Sequence, residues 1–265
     1  MTRVLVLYYS SYGHVRALAR AEAEGAASVP GTLVDIRRVP ETVPDGVRAA
    51  AGYVDDDTPL AAPGDLAEYD GILFGTPTRF GMMAGQMKQF LDQAGGLWAG
   101  NALVGKVAGI FASTGSQHGG HEATLLSGQI PLQHFGMLIA GLPYSFAGQT
   151  GAAGIIGGAP YGAGTIAGAD GSLHPTETDL AGARFQGAHV ARIEAPDDAL
   201  LSAVLVKLFE DRQLAVTPDL VAYCARRMER SFAAAQALVA ALDARALETG
   251  RAPGRRLAAA VLDEM

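Results

Sequence analysis

Three short apolar runs, each followed at once by a turn of glycines and hydroxyls, constrain this chain more than any other feature. Arg3-Val4-Leu5-Val6-Leu7-Tyr8-Tyr9 precedes Ser10-Ser11-Tyr12-Gly13-His14. Gly71–Phe74 precedes Gly75-Thr76-Pro77-Thr78-Arg79-Phe80-Gly81, and Lys106–Ala112 precedes Ser113-Thr114-Gly115-Ser116-Gln117-His118-Gly119-Gly120. Continuous apolar runs of this length fit parallel strands buried on both faces. Helical spacing resumes at Val15, Leu18 and Ala19, and again over Ala84–Gln93 with Met87, Phe90 and Leu91. Strands followed by helices in this way predict an open α/β sheet, in which ligands bind past the carboxyl ends of the strands.

The first turn opens a helix, where free backbone N–H groups and the positive helix end converge on an anion. It lacks the lysine of a GxxxxGK[ST] loop and the glycines of G-x-G-x-x-G, which argues against a magnesium nucleotide and against a dinucleotide pyrophosphate. A single phosphate monoester remains, as in riboflavin monophosphate (FMN). In the second turn Arg79 offers a planar cation beside main-chain donors and Phe80 an aromatic ring, a set that suits a flat conjugated cofactor. The third brings hydroxyls and glycines that allow close backbone approach to a ring edge or ribityl chain. Each turn also has a plainer reading. Ser10 or Ser11 serves as an ordinary N-cap, and Gly/Pro turns are common on surfaces.

Together these residues resemble the WrbA-type NAD(P)H:quinone oxidoreductases. The matching segments are Val4–His14, Arg38–Thr42, Phe74–Gly81, Gly85-Gln86-Met87, Phe90–Trp98, Ser113-Thr114-Gly115, Pro160–Gly171 and Ala183–Gly187, spread over residues 1–193. The loop after Ser113 departs from the pattern, being about one residue longer and carrying Gln117 and His118. The resemblance implies a flavodoxin-like, doubly wound, five-stranded parallel sheet of order 2-1-3-4-5, and FMN as cofactor. It implies that Ser10, Ser11, Tyr12, Gly13, His14 and Val15 hold the phosphate. Thr78, Arg79 and Phe80, with Ser113, Thr114, Gly115, Ser116, Gln117 and His118, contact the ring and ribityl chain. Thr76, Pro77 and Gly81 complete that set, and His134 lies beside the ring. Tyr12 contacts nicotinamide and Trp98 forms an aromatic wall for the acceptor. The flavin carries the chemistry, so no side chain is assigned as catalytic. Reduced nicotinamide (NADH or NADPH) and a quinone are the expected substrates, used in ping-pong order through one flavin face. A homotetramer is expected, with loops around Ala147–Gly168 near a neighbouring flavin site. Read from the residues alone, His134 reads first as a satisfied core histidine, and Trp98 reads also as a core aromatic.

Composition bounds the alternatives. A net charge of −7 argues against nonspecific nucleic-acid binding. The lone cysteine, Cys224, excludes an intramolecular disulfide and fits a reducing, cytoplasmic setting. Residues 1–9 are too short for a leading signal. Prolines and glycines interrupt the apolar stretch Phe135–Gly168, so no membrane span is expected; it reads as a short strand (Met137–Ile139) and a long ordered loop near the site. His118 and His121 lack further nearby ligands, so no metal is expected.

Composition changes near Glu194–Pro196. Of 34 glycines only Gly250 and Gly254 lie beyond Ala195, which marks a different kind of module. Two domains are therefore expected, 1–195 and an all-helical 196–265. Asp197 or Asp198 caps a helix with Leu200, Leu201, Val204, Leu205, Leu208 and Phe209 on one face. Thr217-Pro218 starts a second helix, Phe232, Ala235, Leu238, Val239 and Leu242 line a third, and Leu257–Leu262 starts a fourth. Leu200–Asp211, Tyr223–Phe232 and Ala241–Leu247 resemble the helical lid of the DnaA/Hda group of AAA+ ATPases. That resemblance places the nucleotide-sensing arginine at Arg230. No Walker A or B segment precedes it, so ATP hydrolysis is not expected, and Arg226, Arg227 and Arg230 read as a solvated face or intermolecular salt-bridge donors. Two other function classes fit: a flavodoxin-like carrier of single electrons, and a scaffold that recruits a replication partner through the tail.

Overall fold

The first apolar run forms β1 (Thr2–Tyr8), paired in parallel with β2 (Thr32–Arg38) on one side and β3 (Gly71–Arg79) on the other. The computed structural model describes residues 2–151, 154–192, 198–228, 232–250 and 252–264. β3 pairs in parallel with β5 (Val107–Thr114), and β5 with the short β6 (Leu138–Ile139), so the path runs β2-β1-β3-β5-β6. This is the flavodoxin-like α/β sheet, with two additions that bring it to seven strands. β4 (Met82–Met83) folds back antiparallel on the tip of β3, and β7 (Gly164–Ile166) runs parallel to the end of β5.

The fifth position of the sheet is thus split. β6 covers Val107 and Ala108, β7 covers Ala112–Thr114, and the two are separated in sequence by residues 140–163. The buried Gln186, on helix α6 (Glu177–Ala191), closes the gap with its side-chain amide. It accepts from Ala163 N at 2.7 Å and donates to Ile110 O at 3.3 Å and Ala140 O at 3.2 Å. Backbone groups that a continuous strand would have paired are satisfied by one side chain.

Alternation along the strands feeds two cores, one on each face. Leu5, Leu7, Tyr9, Ile72 and Phe74 point to the face covered by α3 (Gly85–Asp92) with Met87 and Phe90, while Val4, Val6, Tyr8 and Leu73 point to the face covered by α1 (His14–Ala27). α1 and α6 cross backbone to backbone, because a side chain at Gly25 would collide with the Arg184 carbonyl and one at Gly187 with the Glu22 carbonyl. The first unit is completed by α2 (Asp45–Ala50), α4 (Gly95–Ala99) and α5 (His121–His134).

The second apolar run extends further than its sequence suggests. The strand expected at Gly71–Phe74 continues to Arg79, because β5 pairs as far as Pro77↔Ser113. Pro77 is tolerated there because the β1 ladder ends at Gly75, so its missing N–H breaks no bond on that side. The turn narrows to Phe80-Gly81, with φ of 55° and 79°, a two-residue hairpin of the kind that needs positive φ at both positions.

The chain divides into two compact units, Met1–Ile193 and Glu194–Met265. In the second, α7 (Asp198–Asp211), α8 (Pro218–Arg227), α9 (Phe232–Thr249) and α10 (Arg255–Glu264) enclose Leu201, Leu205, Phe209, Leu220, Leu238, Leu242 and Val261. Thr217 caps α8 by accepting from Leu220 N. Cys224 is buried there, its thiol pushed up to about 11 by desolvation. Arg227 reaches Tyr223 Oη and Asp263. Arg230, Asp197 and the side chains of Leu200 and Phe232 lie outside the described residues. Among the described residues no helix is long and apolar enough to cross a membrane.

Candidate functional site

At the carboxyl ends of β1, β3 and β5 the three turns surround a cleft of about 450 Å³. Ser10, Ser11, Tyr12, His14 and Val15 line it from the first turn, Pro77, Thr78 and Arg79 from the second, and Ser113, Thr114 and Gly115 from the third. Helix α1 begins here with Gly13 as N-cap at φ 91°, a conformation suited to glycine, and no side chain caps it. Its first-turn amides are therefore available to an anion. Ser10 Oγ accepts from Gly13 N at 3.1 Å, which shapes the turn.

The turns are bonded to one another. Arg79 Nη2 donates to Ser11 Oγ at 3.1 Å, linking second to first. Thr78 Oγ1 lies 2.6 Å from Thr124 Oγ1, which donates to Gly120 O, linking second to third. Gly120, the N-cap of α5 at φ 85°, sits so close to Gly81 that a side chain would not fit. At the mouth the half-exposed Tyr12 meets Tyr53 edge to face at 5.2 Å. Val54 N donates to Ser11 O, and Arg16 holds Asp55 O, so the segment after α2 packs on the first turn.

Residues 2–151 match the NADPH-dependent FMN reductase family. The chain belongs to that family. It is 58% identical over 198 residues to the NAD(P)H dehydrogenase (quinone) of Paracoccus denitrificans, a match covering 74% of this chain and 95% of that protein. It is 55% identical to NAD(P)H dehydrogenase (quinone) 3 of Rhizobium meliloti, covering 74% and 93%. The WrbA-like flavodoxin structure from Agrobacterium tumefaciens superposes with a TM-score of 0.52 at 25% identity, over 73% of this chain and 97% of that one. The family and this neighbour point to FMN as the cofactor. The cleft's own chemistry fits it: uncapped helix amides and hydroxyls for one phosphate, a guanidinium and backbone edges for a flat polar ring, and no glycine fingerprint for a second phosphate.

Not every expected contact lines this cleft. Thr76 is buried beneath it, donating to Pro77 O and accepting from Ala84 N, and so fixes the start of α3. Phe80 is fully exposed at the hairpin tip beside Gly81. Ser116, Gln117 and His118 sit on the exposed third loop, where Ser116 O accepts from Thr114 Oγ1. Trp98 and His134 share a different, largely apolar groove of about 630 Å³ with Met82, Leu91, Ile130 and Phe135. Among the described residues no group of His, Cys, Asp or Glu is placed to hold a metal ion.

A fourth wall completes the cleft. Ala167–Gly171, directly after β7, lines the cleft, and Gly171 O lies 3.1 Å from His14 Nε2. The sequence places a long ordered loop near the site, with a family motif over Pro160–Gly171, but not the strand inside it. A three-residue strand inside it leaves too short a pattern to read. Asp170 turns its carboxylate to Ser172, whose hydroxyl and amide hold it below the usual carboxylate range.

Proposed function

We propose that the protein catalyses the two-electron reduction of quinones by NADH or NADPH. The observation that carries this reading is the set of interlocked turns around an uncapped helix start, in a chain more than half identical to two NAD(P)H dehydrogenases (quinone) over most of their length. Bound FMN supplies the acceptor and donor of hydride. The chain's part is position and electrostatics. The α1 amides with Ser10 and Ser11 would hold the phosphate, and Arg79 with the Thr114–Gly115 backbone would hold the ring. Tyr12, at the mouth, receives nicotinamide. Nicotinamide leaves before quinone enters the same place, which makes the order ping-pong.

Trp98 and His134 support a homotetramer in this reading. The family resemblance sets both beside a flavin, yet within one chain they line a groove of their own. A neighbouring subunit's cleft reconciles the two. The lone buried cysteine favours the reducing cytoplasm.

Two measurements test the proposal. Flavin extracted from the purified protein should chromatograph as FMN; FAD, or no saturable FMN binding, contradicts the cleft assignment. Steady-state oxidation of NADH by benzoquinone should give parallel double-reciprocal lines. Intersecting lines contradict the shared place, and turnover only with an added reductase indicates an electron carrier.

A further inference from the structure

The amides of Gly157 and Gly158 are each captured by a buried ionisable side chain, on the segment that leads into β7 and the fourth wall of the cleft. Asp179, on α6, accepts from Gly157 N at 2.8 Å with Oδ1, while its Oδ2 takes Thr165 Oγ1 at 2.9 Å and Thr176 N at 3.0 Å. His121, the first residue of α5, accepts from Gly158 N at 3.1 Å with Nε2. An Nε2 that accepts leaves the ring proton on Nδ1, which faces Thr114 Oγ1 at 3.5 Å. Thr114 in turn sends its own proton to Ser116 O. One directional chain thus runs from the 140–163 insertion, through His121, into the third turn of the cleft.

Packing leaves no slack around this arrangement. The imidazole fills the space that a side chain at Gly164 would need, and a side chain at Gly157 would strike the Gly164 backbone. Gly158 stands at φ 92°.

We propose that His121 and Asp179 form a clamp that positions residues 157–171, and that His121 serves it only as the neutral Nδ1–H tautomer, so that clamp and FMN affinity weaken together in acid. Protonating Nε2 sets two N–H groups against each other. Burial lowers the pKa of His121; the charges acting on it, Glu122 from α5 and Asp179 from α6, oppose that shift without cancelling it. Thr114, Gly158 and Gly164 bring no charge. The cost falls on the protonated form, so clamp strength is lost as pH falls through the ordinary histidine range and below.

The link to affinity rests on the FMN reading, and the test separates the two. In the full chain, nitrogen-15 NMR of His121 should show the neutral Nδ1–H tautomer, with a slowly exchanging Gly158 amide. An Nε2–H tautomer overturns the clamp. His121→Gln keeps an acceptor that cannot be protonated, whereas His121→Phe keeps only the bulk. FMN dissociation, followed by flavin fluorescence, should weaken about tenfold in His121→Phe and change less than about twofold in His121→Gln. The wild-type protein should lose additional affinity in acid relative to His121→Gln, a comparison that cancels the titration of FMN itself. Equal affinity in wild type and His121→Phe, or identical acid limbs in wild type and His121→Gln, overturns the proposal. If His121→Phe does not fold, the glutamine comparison and the tautomer decide. A protected Gly158 amide in a wild-type chain that binds no FMN supports the clamp and refutes the cofactor reading instead.

Discussion

Arg79 donates from Nη2 to Ser11 Oγ at 3.1 Å, and the chain of bonds continues into the body of the protein. Ser11 Oγ donates to Tyr9 Oη at 3.3 Å, Tyr9 donates to Glu41 Oε2 at 2.8 Å, and Gln86 Nε2 holds the other Glu41 oxygen at 2.8 Å. A guanidinium at the cleft is thereby held in place by a carboxylate two hydroxyls away.

Arg79→Ala should therefore weaken FMN binding by about tenfold or more, the scale of a lost charge-assisted hydrogen bond. Lys88→Ala should leave it unchanged, since Lys88 lines the groove of Trp98 and pairs with Asp92. Equal dissociation constants for the two variants, read by fluorescence titration, contradict the cleft assignment.

Tyr9→Phe tests the support behind Arg79. Partial burial pushes the Glu41 carboxyl up, but bonds from Val43 N, Gln86, Tyr9 and Thr42 N outweigh it and hold the group below the usual range. A depressed acid contributes stability above its unfolded pKa and loses it as pH falls. Removing the tyrosine hydroxyl should flatten the loss of urea stability as pH falls below about 5, and should cost about 1 kcal/mol at neutral pH.

Glu22 works in the opposite direction. It is fully buried in α1, neither carboxyl oxygen has a hydrogen-bond partner among the described residues, and desolvation holds its pKa well above the ordinary value. The unfolded chain releases this proton as pH rises while the folded chain keeps it, so stability falls with increasing pH. Glu22→Met should stabilise the protein by about 1–3 kcal/mol near neutral pH, with a gain that shrinks towards acid. Chemical denaturation at several pH values measures both. A destabilised variant at neutral pH contradicts the assignment.

Trp98→Ala should raise the KM for quinone more than it weakens FMN binding, because Trp98 lies outside the cleft of its own chain and in the proposed assembly walls the acceptor rather than the cofactor. Loss of flavin in this variant would place the residue in cofactor binding.

A chain ending at residue 195 should retain FMN and quinone reductase activity and differ in solubility or association, as each unit encloses its own core. Light scattering and the NADH–quinone assay on both lengths check this. Loss of flavin and activity together makes residues 196–265 part of the catalytic unit.

The sequence by itself determined the elements whose cause is local. Val4–Leu7 alternate between two cores and are fully buried, and a run of that kind has few alternatives to a covered parallel strand. Thr217 before Pro218 marks a helix start through capping, which acts within a single turn, whereas the N-cap of α1 falls on Gly13 and not on the serine the turn offered. What joins distant parts of the chain was decided only by the tertiary structure. Gln186 reaches Ile110 across 76 positions to seal the split strand. Ala167–Gly171 reach the cleft only because β7 pairs with the end of β5, and Trp98 joins His134 in a groove of its own. Hydrophobic period and turn chemistry report the conformation of neighbouring residues, whereas these contacts depend on register and packing between elements, which no local pattern encodes.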